Sequence, residues 1–70
     1  METNLLQVIA LLEDLPLRGL VRGQVGTVVE RIGPDAFEVE FSDNDGRTYA
    51  TLALRPCQFL VLHHEAVEAA

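Results

Sequence analysis

The chain has 70 residues, one cysteine, and 11 acidic against 5 basic side chains, for a net charge of −6. That length allows one domain whose core buries only about 60% of the unfolded surface, and the lone Cys57 excludes an internal disulfide as reinforcement. All five basic residues are arginine, and an acidic field of this kind repels polyphosphate, counts against general nucleic-acid binding and favours basic partners.

Residues 5–12, Leu-Leu-Gln-Val-Ile-Ala-Leu-Leu, are apolar, but Glu2 stands where a secretory leader carries Lys or Arg. The run is far shorter than the roughly 20 residues that cross a bilayer, so residues 7–13 are expected to form a core strand. A single cysteine fits a reducing compartment. The expected location is therefore cytoplasmic, with no membrane partner.

Pro16, Gly19 and Gly23 mark a kinked loop that leads into the β-branched run Val25-Gly26-Thr27-Val28-Val29. Gly23 and Gly26 are expected to supply backbone conformations closed to other residues. Residues 24–32 read as a strand, and Gly33-Pro34-Asp35 as the turn of a hairpin. Residues 36–42 carry the cleanest periodicity. Phe37, Val39 and Phe41 alternate with Glu38, Glu40 and Ser42, which predicts a half-buried strand with carboxylates in water.

Asp43-Asn44-Asp45-Gly46 ends that strand as a second hairpin turn, with Gly46 in the left-handed position. Residues 47–54 form the next strand, with Ala50, Leu52 and Leu54 inward and Tyr49, Thr51 and Ala53 outward. Pro56 breaks it, and Phe59-Leu60-Val61-Leu62 supplies the last strand. The expected core contains Val25, Val28, Phe37, Val39, Phe41, Leu52 and Leu54. Residues 63–70 are too short to hold a helix alone and are expected to fray.

About five short strands, a long first loop and tight central hairpins predict an all-β fold, a small SH3-like barrel over residues 1–62. An OB-fold is the alternative, but no segment suits its usual helix between the third and fourth strands.

The runs Leu11-Leu12-Glu13-Asp14-Leu15-Pro16 and Gly19–Glu30, followed by Phe37-Glu38-Val39-Glu40-Phe41 and Asp45-Gly46-Arg47-Thr48-Tyr49-Ala50, resemble the small bacterial DUF4926 proteins. The likeness runs to about Leu60. It implies a binding or antitoxin-like role beside a neighbouring open reading frame and brings no catalytic residue with it. Gly23-Gln24-Val25-Gly26-Thr27-Val28 also resembles the KOW element of RNA-binding SH3-like barrels. Here the nearby side chains are Glu30, Glu38 and Glu40 rather than basic residues, so the charge does not transfer.

Catalytic and metal chemistry is poorly supplied. His63-His64-Glu65 places adjacent side chains on opposite sides of an extended chain, with no third ligand near in sequence. Asp43-Asn44-Asp45-Gly46 fails as a calcium loop, because its first ligand position would fall at Phe41 and its bidentate glutamate at Leu52. Cys57 lacks an evident orienting group and oxyanion stabiliser, and reads as a small buried hydrophobe. No enzyme, metal or cofactor is expected.

Surface chemistry points instead to protein binding. Glu30, Glu38 and Glu40 form an acidic face for a basic partner. Arg18 and Arg22 flank Gly19 in a loop suited to bidentate contacts with carboxylate or phosphate, and Tyr49 is a candidate interface anchor. The first and last strands hold more apolar side chains than one small barrel can hide. Ile9, Leu11, Phe59 and Val61 are the expected outward surplus, with Val8, Ala10, Leu12, Leu60 and Leu62 inward. A reversed register would exchange the two sets. The expected function is a non-enzymatic protein-interaction module, paired with itself as a dimer or with a neighbouring gene's product. A KOW-like RNA-binding module is the alternative.

Overall fold

The computed structural model describes residues 4–64 and residue 66. Five strands form one antiparallel sheet: β1 (Val8–Leu11), β2 (Val25–Arg31), β3 (Phe37–Ser42), β4 (Thr48–Leu54) and β5 (Phe59–Val61). Their spatial order is β4-β3-β2-β1-β5. Two 3-10 turns, Pro16–Arg18 and Pro56–Gln58, lie in the connections. The architecture is all-β, with five strands near the expected positions and no α-helix among the described residues. The expected C-terminal tail falls largely outside the described residues, of which His63 and His64 are exposed.

The hairpins follow from their turn residues. Asp43 Oδ1 accepts the backbone N–H groups of Asp45 at 2.9 Å and Arg47 at 3.0 Å, while Gly46 takes φ +81°. Such side-chain to backbone bonds are what make aspartate a turn residue. In the β2–β3 turn, the Arg31 guanidinium donates to the carbonyls of Gly33 and Pro34, each at 3.0 Å.

The long connection after β1 is itself folded. Leu15 and Leu20 pair as an isolated bridge, Gly19 closes the tip at φ +70°, and Leu20 drops into the core. Its base is fastened by the Gly23 N–H donating to the Leu11 carbonyl at 2.8 Å, with Gly23 at φ +93°.

The core comprises Ile9, Leu11, Leu20, Val28, Phe37, Val39, Phe41, Leu54 and Phe59. Phe37 and Phe59 meet edge-on, 6.1 Å between centroids and 87° between planes. They sit on β3 and β5, which two other strands separate, so the sheet curls over its own inner face. The two edge strands, β4 and β5, are not paired with each other.

Three expectations about facing are corrected. Ile9, Leu11 and Phe59 point inward at 0%, 1% and 5% exposure, and Val61 packs half-buried against them. Leu12 and Leu60 are the outward residues, while Val8, Ala10 and Leu62 are half-buried. The register is the reversed one: Ile9 and Leu11 outweigh Val8 and Ala10, and Phe59 outweighs Leu60, so the larger side chains go inward, where burial yields most, although Val61 is smaller than its outward neighbour Leu60.

Val25, expected in the core, is half exposed. It lies three residues from buried Val28 in an unbroken stretch of β2, and positions three apart occupy opposite faces of a strand. Gly26, not Val25, faces the core. Its role is close approach rather than an unusual backbone conformation, since its φ is not positive. Cys57, expected buried, is exposed in the second 3-10 turn.

Candidate functional site

The outer face of the sheet divides into an apolar half and an acidic half. On the apolar half, Ala10 of β1 is paired with Val25 of β2 on one side and Leu60 of β5 on the other. A row Leu60–Ala10–Val25 therefore crosses three strands. Leu12 continues the outward series of β1, and Leu12, Val25 and Leu60 are 44%, 50% and 54% exposed. Half-buried Val8 and Leu62 extend this surface. Contiguous exposed apolar area on a small soluble domain marks an interaction surface more often than scattered single residues do.

The acidic half is built by a bulge. Val28 pairs with Val39 inside the sheet, Val29 is the extra residue, and Glu30 then pairs with Glu38 on the outside. One inserted residue moves Glu30 onto the face that regular alternation would have denied it. Glu40 follows on the same face, opposite Thr27 and Thr51. Its Oε1 accepts the Thr48 hydroxyl at 2.7 Å. Glu30 is exposed, but Glu38 and Glu40 are half-buried rather than freely solvated as the alternation suggested. Like charges directly opposed in a sheet disfavour folding, so the Glu30–Glu38 pair works against the stability of the domain.

The remaining expected site residues are spread apart. Arg18 turns back onto the sheet, its guanidinium donating to the Thr51 carbonyl of β4 at 3.0 Å. Arg22 is exposed, with its backbone N–H donating to Asp14 Oδ1 at 2.8 Å. Tyr49 is the inserted residue of a second bulge, between the Phe41–Ala50 and Ser42–Thr48 pairs. Its ring lies 6.5 Å from Phe41, and its hydroxyl accepts the Gln24 side-chain amide at 3.0 Å. Ile9, Leu11, Phe59 and Val61 belong to the core or its margin and supply no docking surface.

Other chemistry is sparse. Among the described residues no three His, Cys, Asp or Glu side chains converge to hold a metal ion. A shallow, largely apolar cavity of about 380 Å³ is bordered by Asp14, Leu15, Pro16, Leu17 and Arg18. No described helix is long and apolar enough to cross a membrane.

Sequence reasoning missed two exposed features. Leu6 stands at φ +67°, a conformation rare for a bulky residue, and is 74% exposed. Leu17 is 99% exposed at the tip of the first loop. No periodicity marks either one, because both lie in turns.

The bulges, the hairpin turns and the apolar strands fall within one matched segment. Residues 5–61 match the family described as a domain of unknown function, DUF4926. The chain belongs to the DUF4926 family. The match spans all five strands and both faces of the sheet, so both surface halves lie within the DUF4926 domain. No curated protein matches the chain, and no solved structure does.

Proposed function

We propose that this DUF4926 domain is a non-enzymatic protein-interaction module of a reducing compartment, and that it docks a partner on the outer face of β5–β1–β2. The observation that carries this reading is the Leu60–Ala10–Val25 row, with Leu12 beside it, left exposed next to an acidic row. The partner that fits is an apolar surface bordered by Lys or Arg. The opposed Glu30 and Glu38 weaken the free domain, and a cation between them converts repulsion into attraction. A second copy would bring the same carboxylates to the interface, so a different protein is favoured over a homodimer. The product of an adjacent gene is the first candidate.

The test is affinity capture from the native host with tagged wild-type chain and a Leu60→Asp variant of unchanged melting temperature. The expected result is one stoichiometric partner on the wild type and its loss on the variant. Equal capture by both would place the docking surface elsewhere. Light scattering of the purified chain adds a second readout, a monomer being expected.

A further inference from the structure

The two edges of the sheet are unequal. β5 is three residues long and follows directly from a proline-initiated turn. Short strands and nearby proline are ordinary ways to blunt an edge against strand addition. β4 is seven residues long, Thr48-Tyr49-Ala50-Thr51-Leu52-Ala53-Leu54, with no charge and no proline.

We infer that the β4 edge is an acceptor for an extended segment of a partner protein, one that alternates Lys or Arg with apolar residues. This rests on the protein-interaction reading above and adds a second surface and a binding mode to it.

The backbone of β4 presents free polar groups along its outer edge. The Thr51 carbonyl receives Arg18 from outside the sheet, so it is turned away from β3. In an antiparallel ladder the N–H and C=O of one residue point the same way and alternate along the strand. The N–H of Thr51 and both backbone groups of Ala53 therefore face the open edge, and both residues are exposed. The next residue of that series, Arg55, is closed off, because its N–H donates to Gln58 Oε1 at 2.8 Å.

Side chains on the two faces define the occupant. Ala50 and Leu52 point inward yet remain half-buried at the margin of the core. An added strand would cover them with apolar side chains at alternate positions. On the outer face, Ala53 is paired with Glu38 and Thr51 with Glu40. An added strand lies two strand spacings from β3, roughly 10 Å. Ala53 and Thr51 are too short to obstruct a Lys or Arg stem laid across them towards those carboxylates. The chain's charge of −6 favours such a cationic segment and disfavours a second copy of itself. Arg18 is the placeholder on this edge: the incoming backbone N–H takes over the Thr51 carbonyl, and the guanidinium swings away.

The experiment is an amide NMR titration of the full chain with the blocked peptide Lys-Val-Lys-Val-Lys-Val-Lys, and with its Glu-Val counterpart as control. The Lys peptide is expected to shift the Thr51 and Ala53 amides and to slow their hydrogen exchange by about tenfold or more, as hydrogen-bonded strand amides require. The Glu peptide should do neither. Glu38→Gln should weaken binding about threefold, the worth of one ion pair at the protein surface. Arg18→Gln should tighten it, since a like charge and the long guanidinium that reaches the Thr51 carbonyl are gone. Thr51→Pro removes an edge N–H that the ladder does not use, and should abolish binding.

Equal binding of both peptides, shifts without slowed exchange, or weaker binding by Arg18→Gln would each overturn the inference, and these arms stand even if Thr51→Pro fails to fold. Shifts confined to Leu12, Val25 and Leu60 would overturn the edge while supporting the outer-face reading. Equal host-partner capture by the wild type and Leu60→Asp, with peptide binding at Thr51 and Ala53 intact, is the converse: it would overturn the outer-face reading while supporting the edge.

Discussion

The ring of Phe41 lies against the backbone of Gly26. A methyl group at that position would meet Phe41 Cε2 at 2.9 Å and Val39 Cγ1 at 2.7 Å. Both neighbours are fully buried, so neither can move aside without disturbing the packing around it. Gly26→Ala is expected to destabilise the domain by about 1–3 kcal/mol, the range for overpacking. Gly23 provides the contrast, with φ +93° and nothing within 4 Å of a built Cβ. Gly23→Asn, which tolerates that backbone region, should cost under about 1 kcal/mol. Urea unfolding of the two variants measures the difference.

Phe41 is fully buried at the centre of the core. Phe41→Ala should cost about 3–5 kcal/mol. A domain of this length is expected to have only about 4–10 kcal/mol in total, so the variant should be largely unfolded or melt far below the wild type. Circular dichroism melting reads this directly, and an unchanged melting temperature would contradict the core assignment.

Glu30 and Glu38 oppose each other across β2 and β3. Glu30→Lys replaces a repulsive pair with an attractive one, a gain of roughly 0.2–1 kcal/mol. For a domain of this size that raises the melting temperature by about 1–8 °C. The same change should weaken capture of a basic partner. A variant both more stable and worse at binding is the signature of side chains kept for recognition rather than for folding.

Mixed RNA and DNA should bind no more tightly than about 10⁻⁴ M at physiological salt, the level of weak non-specific association. Fluorescence anisotropy reads the affinity. Micromolar binding with a steep salt dependence would instead favour an RNA-binding module built on the Gly23–Val28 segment.

The strand positions were legible in the sequence because turn chemistry and alternation agreed. Phe37, Val39 and Phe41 are inward as their spacing required, and Asp43 and Gly46 close the hairpin as their residue types predict. The facing of β1 and β5 was not legible from period alone. Both strands are apolar on both sides, so alternation fixes no phase. Side-chain size held the missing signal, since Ile9, Leu11 and Phe59 outweigh Val8, Ala10 and Leu60. The Glu30–Glu38 pair was hidden for another reason. It depends on a bulge at Val29, and no turn residue announces an inserted position inside a β-branched run. Arg18 reaching Thr51 joins residues 33 positions apart, a contact that local pattern cannot show.

Docking on the outer face is read by site-specific photo-crosslinking in the native host, with a photoreactive amino acid placed at Leu60 or, as control, at Val21 in the first loop, which is similarly exposed at 57%. Docking at this surface gives a single adduct of discrete mass from position 60 and none from position 21. No adduct from position 60, or the same adducts from both positions, would contradict docking on the outer face of β5–β1–β2.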